Sequence, residues 1–123
     1  MMKPAELARR ACEIIEDKLG EDVVALDLSG HTALADHFVI ASANSSVHAR
    51  SLAEAVVEGL VREDERVNHV EGLESGRWVL LDYVDVVVHI FSGEFRQFYG
   101  LERLWGDLPP LSRGETDDPG TDD

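Results

Sequence analysis

Two runs of strand-forming residues lie so close together in this sequence that only a tight turn can join them. The runs extend from Trp78 to Tyr83 and from Asp85 to Phe91, and Val, Leu, Ile and aromatic residues dominate both. Strands with so short a connection pair antiparallel, because a parallel pair needs a crossover of a dozen or more residues. The sequence therefore predicts an antiparallel hairpin and a sheet of which it is part.

Two helices are predicted before the hairpin. The first covers residues 5 to 19, where apolar residues recur at helical spacing, with Pro4 suited to its start and Gly20 to its stop. The second follows Ser45 or Ser46, either of which can cap its first turn. Its apolar stripe is the most regular in the chain: Ala49, Leu52, Ala53, Val56, Val57, Leu60 and Val61.

Three further strands are predicted, at Asp22 to Leu28, at His37 to Ala41 and around Val67 to Val70. The second helix lies between the last two of these strands and has the length of a crossover. This arrangement predicts that the two strands run parallel. The predicted fold class is α/β: a single domain with a mixed five-stranded sheet and flanking helices.

The chain changes character after a last predicted helix at Glu94 to Trp105. Residues 107 to 123 contain Pro, Gly and mainly acidic charges, with few apolar side chains. Burial cannot repay the entropy lost on ordering such a segment. We therefore expect a folded domain over residues 1 to 106 and an acidic disordered tail over residues 107 to 123.

The charge balance indicates which partners the protein attracts. Eleven Lys and Arg against 25 Asp and Glu give a formal net charge of -14. Such a field repels a nucleic-acid backbone and attracts a basic protein surface. We expect a cationic protein partner and no direct, sequence-specific contact with nucleic acid.

The location of the protein is predicted from its cysteine content and its apolar segments. Cys12 is the single cysteine, so no internal disulfide can form, as is typical of the reducing cytoplasm. The longest apolar stretch, Val86 to Phe91, is interrupted by His89 and is far shorter than a membrane span, and the N-terminus lacks the apolar run of a signal peptide. We expect a cytoplasmic protein that does not enter a membrane.

The motifs that common enzyme classes require are missing from the sequence. It contains neither a glycine-rich phosphate loop nor a G-x-S-x-G elbow, and its histidines form no metal-binding pair on a helix. Cys12 falls on the apolar face of the first helix, which predicts a buried thiol. His89 alternates with Val87 and Phe91, which predicts a sheet histidine satisfied by one hydrogen bond. We predict no catalytic, cofactor-binding or metal-binding residue.

Three acids at strand ends form an alternative site. Asp36, Asp82 and Asp85 are the residue type that two-metal phosphoryl transfer requires. Carboxylates sharing a metal on one strand should be two residues apart, however, and turn acids that bond nearby backbone N–H groups explain these positions at least as well. A metal-dependent nucleotidyltransferase remains the alternative from the enzyme class.

Three segments carry a resemblance to a known family. They are EGLESGRWVLLDYVDVVVHIF at 71 to 91, FRQFYGLERLW at 95 to 105 and ADHFVIASANSS at 35 to 46. Together they resemble the ribosomal silencing factor family, RsfS, also called Iojap-like proteins. Ala43 and Val47 depart from the family's pattern, which bears on the loop before the second helix. The resemblance covers residues 4 to 106 and excludes the acidic tail.

The resemblance implies a fold and a function. The fold is a mixed α/β domain with nucleotidyltransferase-like topology and no known catalysis. The function is binding to the large ribosomal subunit through its fourteenth protein, a basic protein on the face that meets the small subunit. Occupying that face blocks subunit joining and represses translation when nutrients are scarce.

Six residues form the predicted partner-binding surface. The resemblance assigns Trp78, Asp82 and Tyr99 to it, and geometry adds Leu80, Arg96 and Glu102. Alternate strand residues 78, 80 and 82 share one face, and residues 96, 99 and 102 share a helical face. Aromatic residues beside Arg are typical of an interface hot spot. A homodimeric adaptor that uses this surface to bind a second copy is the other alternative.

Overall fold

The fold is a layer of helices on a five-stranded sheet. The structure, a computed structural model, describes residues 2 to 30, residues 35 to 93 and Arg96. The elements within these residues, in chain order, are α1 (Pro4–Asp17), β1 (Glu21–Asp27), β2 (His37–Ala43), α2 (Ser46–Val61), β3 (His69–Glu71), β4 (Trp78–Asp82) and β5 (Val86–Ser92).

The strands are ordered β1-β2-β5-β4-β3 across the sheet. β4 and β5 pair antiparallel, which confirms the predicted hairpin. β2 and β3 run in the same direction as predicted, but they are not neighbours, because the parallel ladder joins β2 to β5. The physical reason is burial. Six of the seven residues of β5 are buried, so it needs a strand on each side, whereas the three residues of β3 are half-buried or exposed and suit an edge.

Both helices pack on the same face of the sheet. The capping prediction for α2 is confirmed at Ser45, whose Oγ accepts the backbone N–H of His48 at 3.0 Å. α1 begins at Pro4 as predicted but ends at Asp17, and Leu19, not Gly20, adopts the left-handed conformation after it, with φ of 70°. Gly20 instead donates its N–H to the Ile15 carbonyl at 2.8 Å, which closes the helix end.

The main core lies between these helices and the sheet. Cys12 is fully buried there, as its place on the helix face predicts. The alternate residues of each strand point to the opposite side of the sheet, which we call the second face. A smaller cluster of buried residues lies on it: Leu26, Leu28, Ala35, Phe38, Ile40 and Phe91.

Part of the predicted architecture falls outside the described residues. This applies to the acidic tail at 107 to 123 and to the helix at Glu94 to Trp105, apart from Arg96. Neither α1 nor α2 has the length and apolar character that a membrane span requires.

Candidate partner-binding surface

The side chains of strand β4 alternate between the two faces of the sheet. Val79 and Leu81 are fully buried against the helices. Trp78, Leu80 and Asp82 point to the second face and are each half-buried. We call these three residues the β4 stripe. The structure therefore brings together the three predicted site residues that lie on this strand.

Asp82 shapes the turn that follows β4. Its carboxylate accepts the backbone N–H of Val84 at 2.7 Å, and the N–H of Asp85 donates to the Tyr83 carbonyl at 2.9 Å. This i to i+2 bond closes a three-residue γ-turn centred on Val84, whose φ is 74° and whose side chain is 60% exposed. A β-branched residue rarely adopts positive φ, so the turn is strained.

We expect Val84→Gly to raise the free energy of unfolding by about 1 kcal/mol. Glycine adopts positive φ without steric cost, and that relief exceeds the entropy that glycine adds to the unfolded chain. Little apolar burial is lost, because the Val84 side chain is mostly exposed. Urea denaturation followed by circular dichroism measures the change. An unchanged or lower midpoint would mean that the strain at Val84 is no larger than the entropy that glycine adds to the unfolded chain.

Trp78 belongs to an aromatic cluster centred on His89. The indole Nε1–H donates to His89 Nδ1 at 3.0 Å, and the Trp78 and Phe91 rings lie 5.2 Å apart. The Phe38 ring meets the edge of the His89 ring at 4.6 Å. His89 is only 3% exposed, and this burial lowers the pKa of its imidazole to about 4. The ring is therefore neutral at neutral pH.

The hydrogen bond from Trp78 fixes the tautomer of His89. Because Nδ1 accepts, the proton of the neutral ring is on Nε2. That Nε2 atom is buried and has no hydrogen-bond partner among the described residues. The prediction of a sheet histidine with one hydrogen bond is thus confirmed for Nδ1. The pairing with Trp78 was not predicted, although Leu80 and His89 lie opposite each other in the hairpin register.

Arg96 contacts the second face at the end of the sheet where Trp78 lies. Its Nη1 donates to the Asp22 carbonyl at 2.6 Å and to Ser42 Oγ at 2.8 Å. Ser42 pairs with Phe91, which in turn pairs with Trp78. Two strand spacings of about 4.8 Å each therefore separate the Ser42 and Trp78 backbones, about 10 Å in all. Ser42, which accepts from Arg96, and Trp78 are thus the register partners of Phe91 on its two sides.

Tyr99 and Glu102, the two remaining predicted site residues, lie outside the described residues. Their predicted place beside the β4 stripe stays a prediction. Arg96 is the one predicted site residue after β5 whose contacts the structure gives, and its two hydrogen bonds reach β1 and β2.

The three acids of the alternative metal site lie near one end of the sheet. The Asp85 carbonyl accepts the backbone N–H of Asp36 at 2.7 Å, and the Asp82 carboxylate caps the turn. Among residues 2 to 30, 35 to 93 and Arg96, no three His, Cys, Asp or Glu side chains form a group suited to a metal ion. The described residues thus favour the turn-capping role for Asp82.

The family model described as "Ribosomal silencing factor during starvation" matches residues 2 to 122, so the match extends over the acidic tail that the resemblance in the sequence excluded. The chain belongs to this family. The chain is 39% identical over 110 residues to ribosomal silencing factor RsfS of Halalkalibacterium halodurans, covering 89% of this chain and 94% of that protein. It is also 39% identical over 104 residues to RsfS of Bacillus subtilis, covering 85% and 86%.

A solved structure agrees with the sequence relatives. A crystal structure of a protein from Chromobacterium violaceum superimposes with a TM-score of 0.83 at 34% identity, covering 93% of this chain and 98% of that one. The resemblance to the RsfS family and the single-domain α/β fold are thereby confirmed. The general function of the RsfS family, silencing of the ribosome, follows from the names of these relatives.

Proposed function

We propose that this RsfS protein binds the large ribosomal subunit through that subunit's fourteenth protein and sterically blocks joining of the small subunit. Translation is thereby repressed under nutrient limitation. No covalent bond changes in this mechanism, which needs no cofactor. Residues 1 to 106 carry the function in this proposal, and residues 107 to 123 form a separate acidic tail.

The observation that carries the proposal is the β4 stripe. It places a large aromatic side chain, an aliphatic one and a carboxylate in one row on the face of the sheet away from the helices. Trp78 offers a large rigid contact area at low entropic cost, as interface anchors do. The proposed surface comprises Trp78, Leu80, Asp82, Arg96, Tyr99 and Glu102.

Charge supports a basic protein as the occupant. The net charge of -14 steers a cationic surface toward the protein. Acids also concentrate near the β4–β5 turn, which Asp82 and Asp85 flank. Asp36 lies close to them, because its backbone N–H donates to the Asp85 carbonyl. An RNA surface, by contrast, would be repelled by these carboxylates. A ribosomal protein is therefore a better match than ribosomal RNA.

We expect Trp78→Ala to weaken binding to purified large subunits by at least about 2 kcal/mol, about 30-fold in dissociation constant. The substitution removes the largest side chain of the β4 stripe. Co-sedimentation over a range of protein concentrations measures the affinity. Subunit joining, followed by sucrose-gradient sedimentation, should recover in parallel, because a blocker that does not bind cannot exclude the small subunit.

The matched control is Val47→Ala. Val47 is 64% exposed on the first turn of α2, so this variant removes an exposed apolar side chain from the helical layer. It should bind as the wild type does. A folded Trp78→Ala variant that binds equally well would exclude the β4 stripe as the contact surface.

Two results would favour the alternative functions. Magnesium-dependent nucleotide binding, measured by calorimetry, would favour the nucleotidyltransferase. A dimer that Trp78→Ala dissociates, measured by light scattering, would favour the homodimeric adaptor.

A further inference from the structure

The indole of Trp78 is held by a residue that is itself out of reach of a partner. Trp78 is half-buried, whereas His89 on the neighbouring strand is 3% exposed. The hydrogen bond from Nε1 of Trp78 to Nδ1 of His89, at 3.0 Å, joins the two. His89 lies diagonally across the hairpin from Trp78, because its register partner on β4 is Leu80.

The His89 ring has little freedom to turn. Phe38 meets it edge-on at 4.6 Å, and the ring of Phe91 stacks parallel to it at 6.4 Å with 8° between the planes. Its own strand lies between β2 and β4, so the backbone is hydrogen-bonded on both sides. The acceptor that Trp78 uses is therefore fixed in position by the sheet and by two phenylalanine rings.

Packing alone does not explain a histidine at this position. The Nε2–H of the required tautomer is buried without a partner among the described residues, and such a group reduces stability. A phenylalanine would fill the aromatic cluster without that cost. What phenylalanine cannot supply is the lone pair that receives the indole N–H. Within the part of the chain that the structure describes, the feature that distinguishes histidine from phenylalanine here is thus its contact with Trp78.

We infer that His89 is a positioning residue of the partner-binding surface, which holds the Trp78 indole in one orientation before the partner arrives. The inference rests on the proposed function and deepens it. A side chain that is already ordered loses less conformational entropy on binding, so the gain is in affinity. His89 acts through Trp78 and makes no contact with the partner itself.

Two substitutions of His89 separate the acceptor from the ring. His89→Phe keeps an aromatic ring and removes the acceptor, and we expect it to weaken binding to purified large subunits about fivefold, as loss of one hydrogen bond does. His89→Asn loses the ring but retains an acceptor oxygen close to the position of Nδ1, and it should recover most of the affinity. A structural role would give the opposite order, because phenylalanine preserves the packing better.

A double substitution tests whether the loss of affinity in His89→Phe depends on the Trp78 indole. In Trp78→Phe, which has no indole N–H, the further change His89→Phe should leave the affinity unchanged. Proton–nitrogen NMR gives a direct readout, since the indole N–H signal that Trp78→Phe removes should shift upfield in His89→Phe and stay near its wild-type position in His89→Asn.

The outcomes of these measurements are distinct. Additive effects of the two substitutions, or an unmoved indole signal in His89→Phe, would overturn the role of His89. If Trp78→Ala weakens binding while His89→Phe does not, the inference fails and the proposed function stands. If the wild type does not bind large subunits, the proposed function fails, and the NMR experiment still decides whether His89 orients Trp78.

Discussion

Replacing Gly72 with alanine is expected to lower the free energy of unfolding by at least about 3 kcal/mol. Gly72 precedes β4, has φ of 79°, and comes so close to the next strand that an added Cβ would lie 2.0 Å from the Trp78 carbonyl oxygen. Positive φ costs an alanine about 1 kcal/mol. The remainder comes from overlap with a backbone atom, which can move only if the first residue of β4 moves.

Gly30 supplies the matched control for Gly72. Its φ of 82° is almost the same, but no atom of residues 2 to 30, 35 to 93 or Arg96 lies within 4 Å of the Cβ that alanine would add. Gly30→Ala therefore carries the conformational cost alone, about 1 kcal/mol. Urea denaturation of the two variants and the wild type gives both values. Equal losses would show that Gly72 is required only for its backbone conformation and not for the close approach to Trp78.

Sequence reasoning succeeds here where the signal is local. The short gap between Tyr83 and Asp85 is sufficient to predict the β4–β5 hairpin, and the stripe from Ala49 to Val61 is sufficient to predict α2. The strand order is not local. The next strand after α2 is β3, yet the place beside β2 goes to β5, because β5 has apolar residues on both sides and β3 does not. That choice depends on burial across the whole sheet.

The same distinction applies to the candidate site. Alternation along a strand predicts that residues 78, 80 and 82 share a face, and the structure places them so. The bond between Trp78 and His89 is diagonal across two strands, so it depends on register and rotamer together. Positive φ at Leu19 and Val84 was not predicted either, because the sequence signal for that conformation is glycine or asparagine and neither is present.

Acidification is expected to destabilise this protein through His89. Burial lowers the pKa of the folded-state imidazole to about 4, whereas the ordinary value in an unfolded chain is 6.5. Between these two values the unfolded chain binds a proton that the folded protein does not. The contribution of His89 to the free energy of unfolding is therefore fully present above pH 6.5 and falls as the pH decreases toward about 4.

The expected loss from His89 between about pH 7.5 and about pH 4.5 is about 2.5 kcal/mol. Other groups titrate over the same range, so the measurement is a difference: urea unfolding of the wild type and of His89→Phe at each pH. The contributions of titratable groups common to both proteins cancel, and the free energy of unfolding of the wild type should fall by about 2.5 kcal/mol more than that of the variant. Asp82, on the strand beside His89, is the same in both proteins. Parallel pH profiles would mean that the folded protein accepts a proton on His89 as readily as the unfolded chain does. In that case water reaches the imidazole, and Trp78, Phe38 and Phe91 do not exclude solvent from it.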